Sequence, residues 1–137
     1  MRKSIMVAAV FCGVLIFAGK AYSQSLADQE GKIYYYYWDF SEANTPGMDY
    51  DQITAKVGEQ YGVSSDQVED IIKRGIVRPI TAQEQSILDE LWRDVNAGAG
   101  YYQEKTALCQ KYGYSDGRMY ELTRRQVALE DEQKKAQ

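Results

Sequence analysis

Few residues in this chain are equipped for chemistry. Histidine is absent from all 137 residues, which removes the usual general base, the usual metal ligand and every Ser-His or Cys-His arrangement. Carboxylates pair at Asp49/Asp51, Glu69/Asp70 and Asp89/Glu90, and two carboxylates are the minimum kit for glycoside cleavage. Each pair lies in a stretch of helical periodicity, however, where it reads as a solvated face. Ser64 and Ser115 have no base to activate them and read as helix caps. No haem-attachment, paired-cysteine, phosphate-cradling or EF-hand pattern occurs. The sequence therefore assigns no catalytic residue, no metal ligand and no cofactor.

What remains is aromatic and basic. Ile33 to Phe40, IYYYYWDF, holds six aromatics in eight residues, too many to solvate comfortably. The run reads as an extended arm or β-strand, either packed across the helices or offered to a partner. Tyr34, Tyr35, Tyr36, Tyr37 and Trp38 are the candidate partner-binding residues, because tyrosine and tryptophan serve protein interfaces well. A nucleic-acid alternative uses Arg118, Arg124 and Arg125, with Tyr114 to stack on bases.

Those residues are expected to work outside the cytoplasm. Met1 to Ser23 has basic Arg2 and Lys3, an apolar run from Ile5 to Ala18, then Ala21-Tyr22-Ser23 with small residues where a signal peptidase inspects them. The run is short for a membrane span, which favours removal over an uncleaved anchor. Residues 1–23 thus read as a secretory signal peptide, with no transmembrane span after its removal and a periplasmic or secreted product. The full chain carries a net −4; the leader holds three of its basic residues and none of its acidic ones, so the rest carries −7. An acidic protein repels phosphate backbones, making nucleic acid an unlikely partner. One cysteine follows the leader, Cys109, with no second for an intramolecular disulfide. It is read as a buried thiol, with intermolecular pairing as the alternative.

The elements that position these residues are helical. Asp49 with Gln52, Ser64 with Gln67 and Thr81 with Glu84 each spell a capping box ahead of an apolar stripe. The stripes are Ile53, Val57 and Tyr61; Val68, Ile71 and Ile72; then Ile87, Leu88, Leu91, Trp92 and Val95. The third helix is expected to complete a core with the first two. Glycines at 62 and 75 close the first two helices.

The spacing of Val57, Gly58, Tyr61, Gly62, Val63, Val68 and Ile71 resembles the helix-turn-helix motif. The resemblance is confined to Asp49 to Gly75. It implies a small trihelical domain and, as the alternative function, binding of DNA, by an exported protein or by a regulator if the leader is misread.

The second half echoes the first. At an offset of 51, Tyr101 matches Tyr50, Gln103 matches Gln52, Tyr112-Gly113 match Tyr61-Gly62, Ser115 matches Ser64 and Arg125 matches Arg74. Cys109 then falls on Gly58, a small buried site. The expected organisation is an acidic lead and aromatic arm over 24–48, a helical unit over 49–97, a hinge in the AGAG run at 98–100, a second unit over 101–132 and a disordered tail over 133–137.

The sequence thus describes a mostly α protein of two helix-turn-helix-like units with an N-terminal extended aromatic arm. Its expected role is an exported, non-catalytic interaction or structural protein of the bacterial envelope, holding a protein or envelope component through the aromatic surface.

Overall fold

The computed structural model describes residues 26–137, and the expected signal peptide lies outside the described residues. Six helices and no strand are found among the described residues: α1 (Asp28–Asn44), α2 (Tyr50–Tyr61), α3 (Ser65–Ile76), α4 (Ala82–Asn96), α5 (Tyr101–Tyr112) and α6 (Asp116–Lys135). The fold is mostly α, as expected. No helix among the described residues is long and apolar enough to cross a membrane.

The three capping boxes stop and start the chain where the sequence puts them. At each of Asp49, Ser64 and Thr81 the side chain accepts the N–H of the residue three further on, and that residue's side chain accepts the cap's own N–H. Gly62 and Gly113 end α2 and α5 with φ 67° and ψ 32°, a left-handed geometry that costs a residue with a Cβ about 1 kcal/mol or more.

The aromatic run is not an extended arm. Ile33 to Phe40 lies inside α1, where every backbone N–H and C=O finds its partner along the chain itself, whereas a lone strand leaves both rows unpaired. Helical rotation gathers Ile33, Tyr34, Tyr37 and Trp38 on one buried face.

Two cores result. The α1 face packs on α2 and α3 through Ile53, Val57, Val68 and Ile72. Helix α4, expected to complete that core, packs instead with α5 and α6, where Ile87, Leu88 and Leu91 meet Leu108, Met119 and Leu122. The reason is volume: the α1 aromatics already fill the place beside α2 and α3 that α4 was expected to take. The AGAG run therefore joins two packed neighbours, α4 and α5, rather than hinging the halves. Cys109 is buried in the second core, and α6 runs to Lys135, through the stretch expected to be tail.

Candidate functional site

The aromatics of the expected partner surface divide between inside and edge. Tyr34, Tyr37 and Trp38 are core residues, with Tyr34 fully enclosed, so they offer no surface to a partner. Tyr35 and Tyr36 are half-buried, and Tyr36 stacks on Phe40 at 5.8 Å between ring centroids. The basic set divides too. Arg124 is exposed beside the Tyr120 ring, while Arg118 lies over the rings of Tyr114 at 4.0 Å and Tyr35 at 5.0 Å. Arg125 is wholly buried and cannot reach a nucleic acid. Its place on α6 explains this: Met119, Leu122 and Arg125 follow one another at three-residue spacing down the buried face.

Arg125 is the centre of a closed ion cluster. Its Nη1 and Nη2 donate to the two Glu84 oxygens at 3.0 and 2.7 Å, and its Nε donates to Glu121 at 2.7 Å. Burial works against both ionised forms at the Arg125–Glu84 pair, and the hydrogen bonds and mutual field win. They hold the Glu84 carboxyl below its ordinary range and the Arg125 guanidinium above its own.

The first trio carries the same construction. Arg74 Nη1 and Nη2 donate to the two oxygens of Glu30 at 3.0 and 2.8 Å, and Arg74 Nε donates to Asp70 at 2.9 Å. Each arginine thus takes a bidentate carboxylate from the first helix of its trio and a second carboxylate four residues back on its own helix. The Arg74 hydrogen bonds draw the Glu30 carboxyl below its ordinary range.

What differs is the cover. Over the second cluster lies α1: the Tyr34 hydroxyl donates to Glu121, the Tyr35 ring rests on Arg118, the Trp38 ring meets Tyr120 at 5.8 Å, and Asp39 accepts from Ser115. Gly117 makes the approach possible, since a Cβ there would collide with the Asp39 backbone. Burial, with Glu121 beside it, pushes the Tyr34 phenol far above its ordinary pKa, so it remains a donor. Over the first cluster there is an open groove of about 560 Å³, with the buried Ile33 and Ile71 at its floor, Ala27 and Val63 on its walls, and Glu30, Asp66 and Asp70 along its edge. The Arg125 side chain is 0% exposed and that of Arg74 is 39% exposed. The two clusters differ chiefly in whether a helix covers them.

Sequence reasoning missed this groove. In the sequence Glu69 and Asp70 read as a solvated face, Arg74 as the counterpart of Arg125 and Glu30 as part of an acidic lead. The available signal was the Asp70/Arg74 spacing of four, repeated at Glu121/Arg125. Three of the other paired carboxylates have structural uses: Asp49 caps α2, Asp89 accepts from Gln85, and Glu90 binds Lys111 at 2.6 Å and Tyr112 at 2.7 Å. Among the described residues no group of three metal-ligating side chains converges.

No family model matches this sequence, and neither a curated protein nor a solved structure matches it.

Proposed function

We propose that this chain is an exported, non-catalytic interaction protein whose first trio receives a helical segment of a protein partner in the groove between α1 and α3. One observation carries the reading: the corresponding surface of the second trio is already occupied by a helix, α1, whose aromatic side chains seat on the ion cluster. The aromatic interaction surface of the sequence reading is kept in altered form. Its inner half binds within the molecule, and Tyr35 and Tyr36 remain at the edge.

Supporting the correspondence, we read the two trios as copies of one three-helix unit. Offset 51 pairs Asp70 with Glu121 and Arg74 with Arg125, and offset 54 pairs Glu30, Ile33, Tyr34, Tyr37 and Trp38 with Glu84, Ile87, Leu88, Leu91 and Trp92. Matching donors and acceptors in the two clusters, atom for atom at Glu30 and Glu84, favour this over coincidence of turn chemistry. Export rests on the leader read in residues 1–23.

A photoreactive benzophenone side chain at exposed Gln67, on the groove edge, tests the proposal in cells. A discrete adduct with one envelope protein is expected, and the same probe at Glu130, on the far end of α6, should not form it. Identical adduct patterns from both positions, or none from Gln67, would end the reading.

A further inference from the structure

We infer that the helix received by the first groove is basic and presents a tyrosine hydroxyl to Asp70. This rests on the reading of the groove as a helix-binding surface and names the chemistry of its occupant.

Three comparisons between the occupied and open grooves carry the inference. First, the occupant of the second groove satisfies the carboxylate next to the arginine with a phenol, Tyr34 to Glu121. Asp70 holds the equivalent place in the first groove; it accepts one bond from Arg74 and is exposed, with acceptor capacity left over. A phenol is suited to this, since its ring covers apolar wall while its hydroxyl donates. Ala27 and Val63 provide that wall, above the buried Ile33 and Ile71.

Second, charge differs in a defined way. In the second groove the α1 residues meet Gly117 and Arg118, and the acidic Asp39 is welcome there. The corresponding positions of the first groove are Asp66 and Gln67. Glu30, Asp66 and Asp70 face a single base, Arg74, so an acidic helix is repelled and a lysine- or arginine-bearing one attracted.

Third, the same difference argues against a second copy as occupant. At −7 beyond the leader, the chain repels itself. The α4 face that would have to dock by analogy offers Leu88 and Asp89 where α1 offers Tyr34 and Tyr35. Leu88 is buried in its own core and donates nothing to Asp70.

The test uses the chain from residue 24 onward and four synthetic helical peptides with the α1 spacing of apolar residues. The peptides carry tyrosine or phenylalanine at the position of Tyr34, each with either lysine or glutamate on the solvent-facing positions. Fluorescence anisotropy should show saturable, salt-weakened binding of the lysine-tyrosine peptide, and binding about tenfold weaker or less for its glutamate counterpart. Asp70→Asn should weaken the tyrosine peptide several-fold more than the phenylalanine peptide. Asp66→Lys should weaken both lysine peptides. Both altered residues are exposed, so unchanged helicity by circular dichroism keeps the comparison sound. Equal binding of lysine and glutamate peptides, or equal Asp70→Asn losses for tyrosine and phenylalanine, overturns the assigned chemistry while leaving a helix-binding groove. No binding of any peptide removes the groove reading itself. Concentration-dependent self-assembly that excludes peptide makes a second copy the occupant and overturns the inference.

Discussion

Arg74 and Arg125 are the same residue type in the same hydrogen-bonded setting, yet their environments make them energetically different. Removing Arg125 leaves the buried Glu84 with only Arg78 as a cation, at 3.8 Å, and the buried Glu121 with only the Tyr34 hydroxyl, and breaking a buried pair in this way costs about 3–5 kcal/mol. Removing Arg74 leaves Glu30 and Asp70 with access to water, where an ion pair contributes about 1 kcal/mol or less. Urea unfolding at neutral pH should therefore show Arg125→Met strongly destabilised and Arg74→Met close to the parent. Equal losses would mean that Arg74 is as enclosed as Arg125. The pair also shows where sequence reading stops. Glu121 and Arg125 at four-residue spacing were visible, but Glu84 lies 41 residues away and reaches Arg125 only through packing. With no record of which face α6 buries, two adjacent arginines looked like a basic surface.

Among the elements, α1 was the least legible and α3 the most. Helix α3 has the expected cap and apolar face, but Gly75, expected to close it, lies inside the helix, which runs to Ile76 with Val77 as its cap. In α1 aromatics stand at every position from Tyr34 to Trp38, which erases the contrast between buried and exposed faces on which periodicity depends. The β-propensity of tyrosine then pointed to an extended arm, and tertiary packing overrode it. The helix is held at one further point, Gly75 of α3, where the Tyr34 ring lies flush against the backbone and a Cβ would overlap it. Gly31 of α1, by contrast, has open space where a Cβ would point. Gly31→Ala should stabilise by roughly 0.5–1 kcal/mol, the ordinary helix-interior difference between these residues. Gly75→Ala carries the same propensity gain but must displace a fully buried aromatic ring, and overpacking of that kind costs about 1–3 kcal/mol. Opposite signs of the shift in thermal midpoint are expected. A stabilising Gly75→Ala would show that Tyr34 can move away at little cost.

For the molecule as a whole, the AGAG run and the helix pairing make competing claims about where the chain divides. Composition favours a break at 98–100, since Ala97 to Gly100 separates two capped helical stretches and Gly98 has φ 108°. Packing favours a different division, between α3 and α4, and then ties the two trios together: Trp38 of the first core rests on Tyr120, and Tyr34 reaches Glu121. Helix α6 thus belongs to one core while covering the helix that fills the other. Two consequences can be measured. Replacing residues 98–100 with a protease site and cutting there should leave both pieces bound to one another, because α4 remains packed on α5 and α6 through Leu88, Leu91 and Leu108. The cut chain should elute from a sizing column at the volume of the uncut chain and separate only in denaturant. Trp38→Ala should remove about 3–5 kcal/mol from both trios at once, with unfolding followed by helicity and by Trp92 fluorescence still coinciding. If cutting at 98–100 releases two folded pieces, or if the Trp92 signal outlasts the loss of the first core, then α6 does not couple the trios. The groove in the first would then be an independent surface with no sister interface to argue from.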